Sequence, residues 1–112
     1  MPEIEYDGGK VKVDAEGYLV NFDDWNEDVA RALAKREGIG ELSADRLDIL
    51  KFIRQYYTDY GSYPVFGAVC LNVMQPKDCV TKKFMNPIQA WRVAGIPNPG
   101  KEVETYLHHE VV

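Results

Sequence analysis

The sequence contains no hydrophobic run near the roughly 20 residues needed to cross a bilayer. Its first residues, "MPEIEYDGG", are acidic and polar, unlike a secretory signal. It has only two cysteines, Cys70 and Cys79, too few for a disulfide framework, so a cytoplasmic protein is expected. Positive charge is also scarce: 13 Lys and Arg face 18 Asp and Glu, for a net charge of −5. That balance weighs against a broad electrostatic grip on nucleic acid and leaves only a local basic patch. No Ser-His-Asp constellation, P-loop or dinucleotide fingerprint is present, so neither an enzyme active site nor a cofactor is expected. The two histidines, His108 and His109, are adjacent and point to different faces. Without a spaced third ligand they predict no metal site.

What is present suits one small domain. The 112 residues are 46% hydrophobic and include seven Tyr, four Phe and two Trp. Such a chain buries about 65% of its unfolded surface without needing a staple. There are no repeats and no low-complexity tracts.

The first twenty residues read as strands. Ile4 and Tyr6, then Val11 and Val13, alternate around "DGG", a hairpin signal, and "DAEG" leads into Tyr18-Leu19-Val20. A ribbon of two or three strands must lie on helices to be stable. From Asp23 to Glu37 the period becomes helical, with Trp25, Val29, Ala30, Leu33 and Ala34 on one face, and Gly38 and Gly40 stop it. Ser43 is a good N-cap, flanked by Leu42 and Leu47 as a hydrophobic staple. The wide apolar face that follows, closed by Gly61 and Pro64, predicts the central helix. Residues 64–74 read as a short helix opened by Pro64 or as a buried strand, with Pro at the first turn and no polar alternation favouring helix, and "KDCVTKKFM" reads as a further short helix. "NPIQAWRVAG" has Asn86 as cap and Pro87 at the first helical position, and it ends at Gly95. Pro97 and Pro99 then forbid regular helix. The expected fold is α+β: an N-terminal β-hairpin on about five helices with helix-turn-helix character and a C-terminal arm.

Several residues invite two readings. Trp91 reads either as an anchor for a partner or as a lid holding the arm's base on the core; Ile88, Trp91 and Ala94 share a helical face, which favours the lid. Cys70 reads as a buried inert thiol, and Cys79, beside Lys77 and near Lys82 and Lys83, as a half-exposed one of lowered pKa. A Cys70–Cys79 bond fits across a turn but does not follow from spacing. The cluster "DDWNED" is helix-start electrostatics rather than a metal site. Tyr56, Tyr57, Tyr60 and Tyr63 read as core and rim rather than a base-stacking surface. Val103, Tyr106 and Leu107 are spaced for a helical turn that docks on this core or on a second subunit.

The order of "GYLVNFDDWNEDVARALAKREGI", "LDILKFIRQYYTDYG" and "AGIPNP" resembles the DsrC/TusE (DsvC) family of sulfur-relay proteins over residues 1–99, leaving 100–112 as a C-terminal extension. The resemblance implies a small helical fold with a hairpin. It also implies a carrier role, in which a cysteine near the tip of the arm takes up sulfur from or for a sulfurtransferase, a sulfite reductase or a tRNA-thiolation enzyme. This sequence departs from that pattern. The position before the basic residue of "RVAGIP", a second cysteine in some members, is Trp91, and "KEVETYLHHEVV" has no cysteine. Phe66 stands where a basic residue is expected, and the loop before the last helix is shortened to "FMNPIQA". A persulfide carrier needs a thiolate, which Trp cannot supply. The expectation is a non-catalytic binding or regulatory relative, its contact residues Trp91, Arg92, Gly95, Ile96, Pro97 and Pro99. The alternatives are a sulfur (persulfide) carrier using Cys79, or a DNA-binding regulator with a basic stripe of Arg54, Lys82, Lys83 and Arg92.

Overall fold

The structure, a computed structural model, describes residues 2–64, 66–84 and 87–98, with the backbone alone at Phe66, Thr81 and Pro87. The expected cap Asn86, and Pro99, Val103, Tyr106, Leu107, His108 and His109, lie outside the described residues. Strands β1 (Glu3–Tyr6) and β2 (Gly9–Lys12) pair antiparallel in the register Ile4↔Val11 and Tyr6↔Gly9. A single bridge, Val13↔Leu19, takes the place of a third strand, leaving a two-stranded ribbon. The turn before it is built by Asp14, whose Oδ1 accepts from the backbone N–H groups of Glu16 (2.9 Å) and Tyr18 (3.0 Å). This local bonding is what an aspartate offers a turn. Val11, Val13, Tyr18 and Leu19 thereby enter the core.

The first helix starts later than its sequence period suggests. Phe22–Asp24 form a 3-10 turn capped by Asn21, and α1 runs Glu27–Arg36. Its N-cap is Asn26, whose Oδ1 accepts from Val29 N at 2.8 Å. Val29, Ala30, Leu33 and Ala34 are buried as their spacing predicts, but Trp25 lies outside the helix in extended backbone. α2 (Ala44–Tyr60) begins at Ser43, whose side chain accepts from Arg46 N, and it ends at Gly61 in the left-handed region. α3 (Phe66–Asn72) and α4 (Cys79–Lys83) are short and lie one after the other beside α2 and α5.

α5 (Pro87–Ala94) is the enclosed element. It packs on α1, α2 and α4, and Ile88, Gln89, Ala90, Trp91, Val93 and Ala94 are all buried. The longer α2 keeps a wet side, with Tyr60 70% exposed, so its wide apolar face does not make it the central helix. The α+β expectation of a hairpin on five helices holds.

Candidate functional site

The sequence points to the chain leaving α5, and the structure shows how that exit is fixed. Gly95 ends the helix at φ +69°, a conformation that costs glycine little. A Cβ at Gly95 would run into the Trp25 indole and come within 3.1 Å of Leu19 and 3.2 Å of the Arg54 guanidinium. Only glycine therefore lets the three side chains close on the backbone here. Trp25 Nε1 donates to Val93 O at 2.9 Å across 68 residues of sequence. Pulling Trp25 to that carbonyl is what separates it from α1.

Arg54 is the clamp. Its Nη1 donates to Ala94 O at 3.0 Å and Gly95 O at 3.4 Å, and Nη2 donates to Phe22 O at 2.8 Å. The guanidinium lies 3.8 Å from the Phe22 ring centroid and 4.6 Å from that of Trp25. Burial draws its pKa down to about 10, against the opposing pull of Asp23, so it is cationic at neutral pH. A planar guanidinium can serve these carbonyls while its face lies over both rings, which a compact ammonium has no plane to do.

Beyond Gly95, Ile96 is fully buried and the Pro97 carbonyl accepts from Tyr63 Oη at 2.8 Å. Burial, then the neighbouring Tyr57, pushes the Tyr63 phenol up to about 12. Its ring stacks on Tyr57 at 5.5 Å and meets Trp91 at 4.5 Å, while Phe22 meets Tyr57 at 5.5 Å. Four rings thus connect the 3-10 turn to α5. Asn98 closes the set: its Nδ2 donates to Asp14 Oδ2 at 3.0 Å and Glu16 Oε2 at 2.7 Å, tying the arm to the hairpin side.

The predicted contact residues divide accordingly. Trp91 is 1% exposed and packs against Tyr63 in the core. Gly95 and Ile96 are buried, Pro97 is half-buried, and Asn98 is exposed. Arg92 pairs with Glu37 at 3.2 Å and lies over Tyr18. Sequence reading missed Trp25, Tyr63 and Asn98 as arm contacts and placed Arg54 in a basic stripe. That stripe does not assemble: Arg54 is turned inward, Arg92 pairs with Glu37, Lys82 with Asp78 and Lys83 with Asp45.

The cysteine expectations also change. Cys79 is 1% exposed rather than half-exposed, and neither cysteine is a free thiol: Cys70 and Cys79 form a disulfide. Among the described residues no His/Cys/Asp/Glu group could hold a metal ion, and no helix is long and apolar enough to cross a membrane. Within "DDWNED", Glu27 pairs with Lys51 and Arg31, and Asp28 with Arg31, as helix-start charges do.

The family model described as "DsrC like protein" matches residues 5–103. The chain belongs to the DsrC/TusE family. Among DsrC/TusE relatives it is 31% identical over 108 residues to the sulfurtransferase TusE homolog of Haemophilus influenzae, covering 88% of this chain and 97% of that one. It is 32% identical over 101 residues to the dissimilatory-type sulfite reductase subunit gamma of Nitratidesulfovibrio vulgaris, covering 88% and 96%. The fold matches the crystal structure of the oxidized gamma-subunit (DsrC) from Archaeoglobus fulgidus with a TM-score of 0.77 and 32% identity, over 89% of this chain and 98% of that one. It matches the NMR structure of Allochromatium vinosum DsrC with a TM-score of 0.73 and 33% identity, over 88% and 96%. The family is one of sulfur relay, and the clamped exit from α5 lies within the residues its model matches.

Proposed function

We propose that this chain is a non-catalytic member of its family. It binds or regulates sulfur-trafficking proteins, a sulfurtransferase or a dissimilatory sulfite reductase, without carrying sulfur and without enzyme activity of its own. The observation that carries the reading is Trp91: a buried indole fills the position before the basic residue of the arm, where a reactive thiol would need solvent and partner access. Two further facts support it. Residues 80–112 contain no cysteine, and the two cysteines the chain has are bonded to each other. The arm root is nevertheless kept in place by Arg54, Trp25 and Tyr63. Such a root suits a chain that still presents its arm to a protein surface while lacking the nucleophile.

The test uses the full chain in its disulfide form, without reductant. Incubated with a persulfide-loaded cysteine desulfurase, it gains no one-sulfur mass increment, under conditions where a TusE relative does. In pull-downs it retains a sulfurtransferase or sulfite reductase of the relatives' kind, and loses it when cut after Pro99. A stable one-sulfur adduct mapped to Cys79 would instead make this chain a sulfur carrier with a relocated thiol.

A further inference from the structure

Cys70 lies in α3 and Cys79 opens α4, and the bond between them closes a loop with a sequence separation of 9. The two helices are 7 and 5 residues long, too short to be stable on their own hydrogen bonds. The loop displays Leu71 at 78% and Met74 at 95% exposure, the most exposed large apolar side chains among the described residues. Met74 sits at φ +58°, an unusual region for a non-glycine residue. Within the loop, Met74 N donates to Leu71 O at 3.2 Å, Gln75 N to Cys70 O at 3.0 Å and Cys79 N to Pro76 O at 2.8 Å, while Gln75 Nε2 reaches Asp45 O in α2 at 3.0 Å. Gln75 Oε1 is buried with no hydrogen-bond partner among the described residues. An unpaired buried acceptor disfavours the closed arrangement.

Both cysteines are buried, Cys70 at 0% and Cys79 at 1% exposure, but they differ in what they border. Cys79, but not Cys70, lines a surface cavity of about 530 Å³, together with Asp45, Met74, Gln75, Pro76, Lys82 and Lys83. Lys82 and Lys83 each stand beside a carboxylate, Asp78 and Asp45, so the wall carries charge of both signs. Lys82 and Lys83 stand three and four residues after Cys79, on its side of the helix. Cys70 is fully buried on the core side.

We propose that Cys70–Cys79 is a reversible redox site, entered by a small dithiol reductant through this cavity, whose opening releases the loop that displays Leu71 and Met74. One thiolate of the reductant attacks Cys79 Sγ. A mixed disulfide forms, the Cys70–Cys79 bond breaks, and Cys70 leaves as a thiolate that takes up the proton the reductant's thiol gave up. The reductant's second thiolate attacks the reductant's other sulfur in the mixed disulfide and expels Cys79 as a thiolate, which takes up the proton that the second thiol gave up. The pair gains two electrons and two protons, and the reductant ends as a disulfide. This site is independent of the arm and of what the arm binds.

The experiment uses the full chain at neutral pH. Dithiothreitol is expected to reduce the folded protein, with both thiols then alkylated and circular dichroism retained, and reoxidation restores the bond. Hydrogen exchange in peptides covering 66–83 rises by about tenfold or more, while that of α1 and α2 does not. With glutathione disulfide, the Cys70→Ser variant forms a mixed disulfide at Cys79 at least about tenfold faster than the Cys79→Ser variant forms one at Cys70. Reduction only after unfolding in denaturant, or loss of the whole fold on reduction, would make the bond a structural staple and overturn the proposal. So would unchanged exchange over 66–83, or equal reactivity of the two single thiols.

Discussion

Gly95 shows how much one missing Cβ can decide. Its backbone is left-handed, and the space a side chain would need is filled by Trp25, Leu19 and Arg54. Gly95→Ala adds backbone strain to overpacking and is expected to cost roughly 3 kcal/mol. On a domain of this size that lowers the melting temperature by more than about 10 °C. Gly38→Ala is the control, since Gly38 is also left-handed at φ +76° but has open space around it. It should cost only about 1 kcal/mol, by calorimetry on both variants. Equal losses would mean that the close approach at Gly95 contributes nothing. Tyr63 makes a second residue-scale test. Its folded pKa is raised to about 12, so the fold holds a proton that the unfolded chain releases above pH 10. Its contribution is therefore intact below pH 10 and is lost as pH rises toward 12. Tyr63→Phe removes the bond to Pro97 O and costs about 1 kcal/mol at pH 8. The gap between wild type and variant then narrows from pH 9.5 to about 11.5 in denaturant titrations.

At the scale of elements, local signals were legible and long-range ones were not. α2 could be read because its limits are local chemistry: the Ser43 cap and the left-handed Gly61. α1 was misplaced at its start because "DDWNED" holds two different structures. Asn21 caps a 3-10 turn over Asp23 and Asp24, and Asn26 caps the helix two residues beyond. Periodicity put Trp25 on the helix face, whereas its partner is a carbonyl 68 residues away, which no window of sequence contains. The true start gives a direct check. Asn26→Ala removes the acceptor for Val29 N and is expected to cost about 1 kcal/mol, while Asn26→Gly costs only a few tenths. Chemical denaturation measures both, and equal costs would argue that the helix starts elsewhere. α3 and α4 were legible as short helices, but the bond joining them was not, because spacing alone cannot place two Cα atoms 5.7 Å apart.

At the scale of the whole molecule, the arm's root could be located from "AGIPNP" while the device that fixes it could not. Arg54, Tyr63 and Asp14 reach the chain between Ala94 and Asn98 from α2, from the loop after it and from the turn after β2, at separations of 34 to 84 residues. The same distance effect hides the partners of Arg54, Lys83 and Arg92 in the expected basic stripe, whereas the Lys82–Asp78 pair is an i,i+4 contact within reach of local spacing. Asn98 is the last described tie, and Asp14 reports on it. Burial pushes the Asp14 carboxyl up, yet bonds from the Asn98 amide and the backbone N–H groups of Tyr18, Glu16 and Gly17 outweigh this and hold it below its ordinary value. A depressed carboxylate contributes stability at neutral pH that is lost as pH falls through its folded value. Asn98→Ala removes one of those bonds and leaves the backbone ones. The Asp14 pKa should then rise in a carboxyl NMR titration, and the acid unfolding midpoint should move to higher pH. Because the contact is exposed, stability at pH 7 should change by less than about 1 kcal/mol. An unmoved Asp14 titration would mean that Asn98 does not bond Asp14 in solution, and that the chain past Gly95 is held by buried Ile96 and the Tyr63–Pro97 bond.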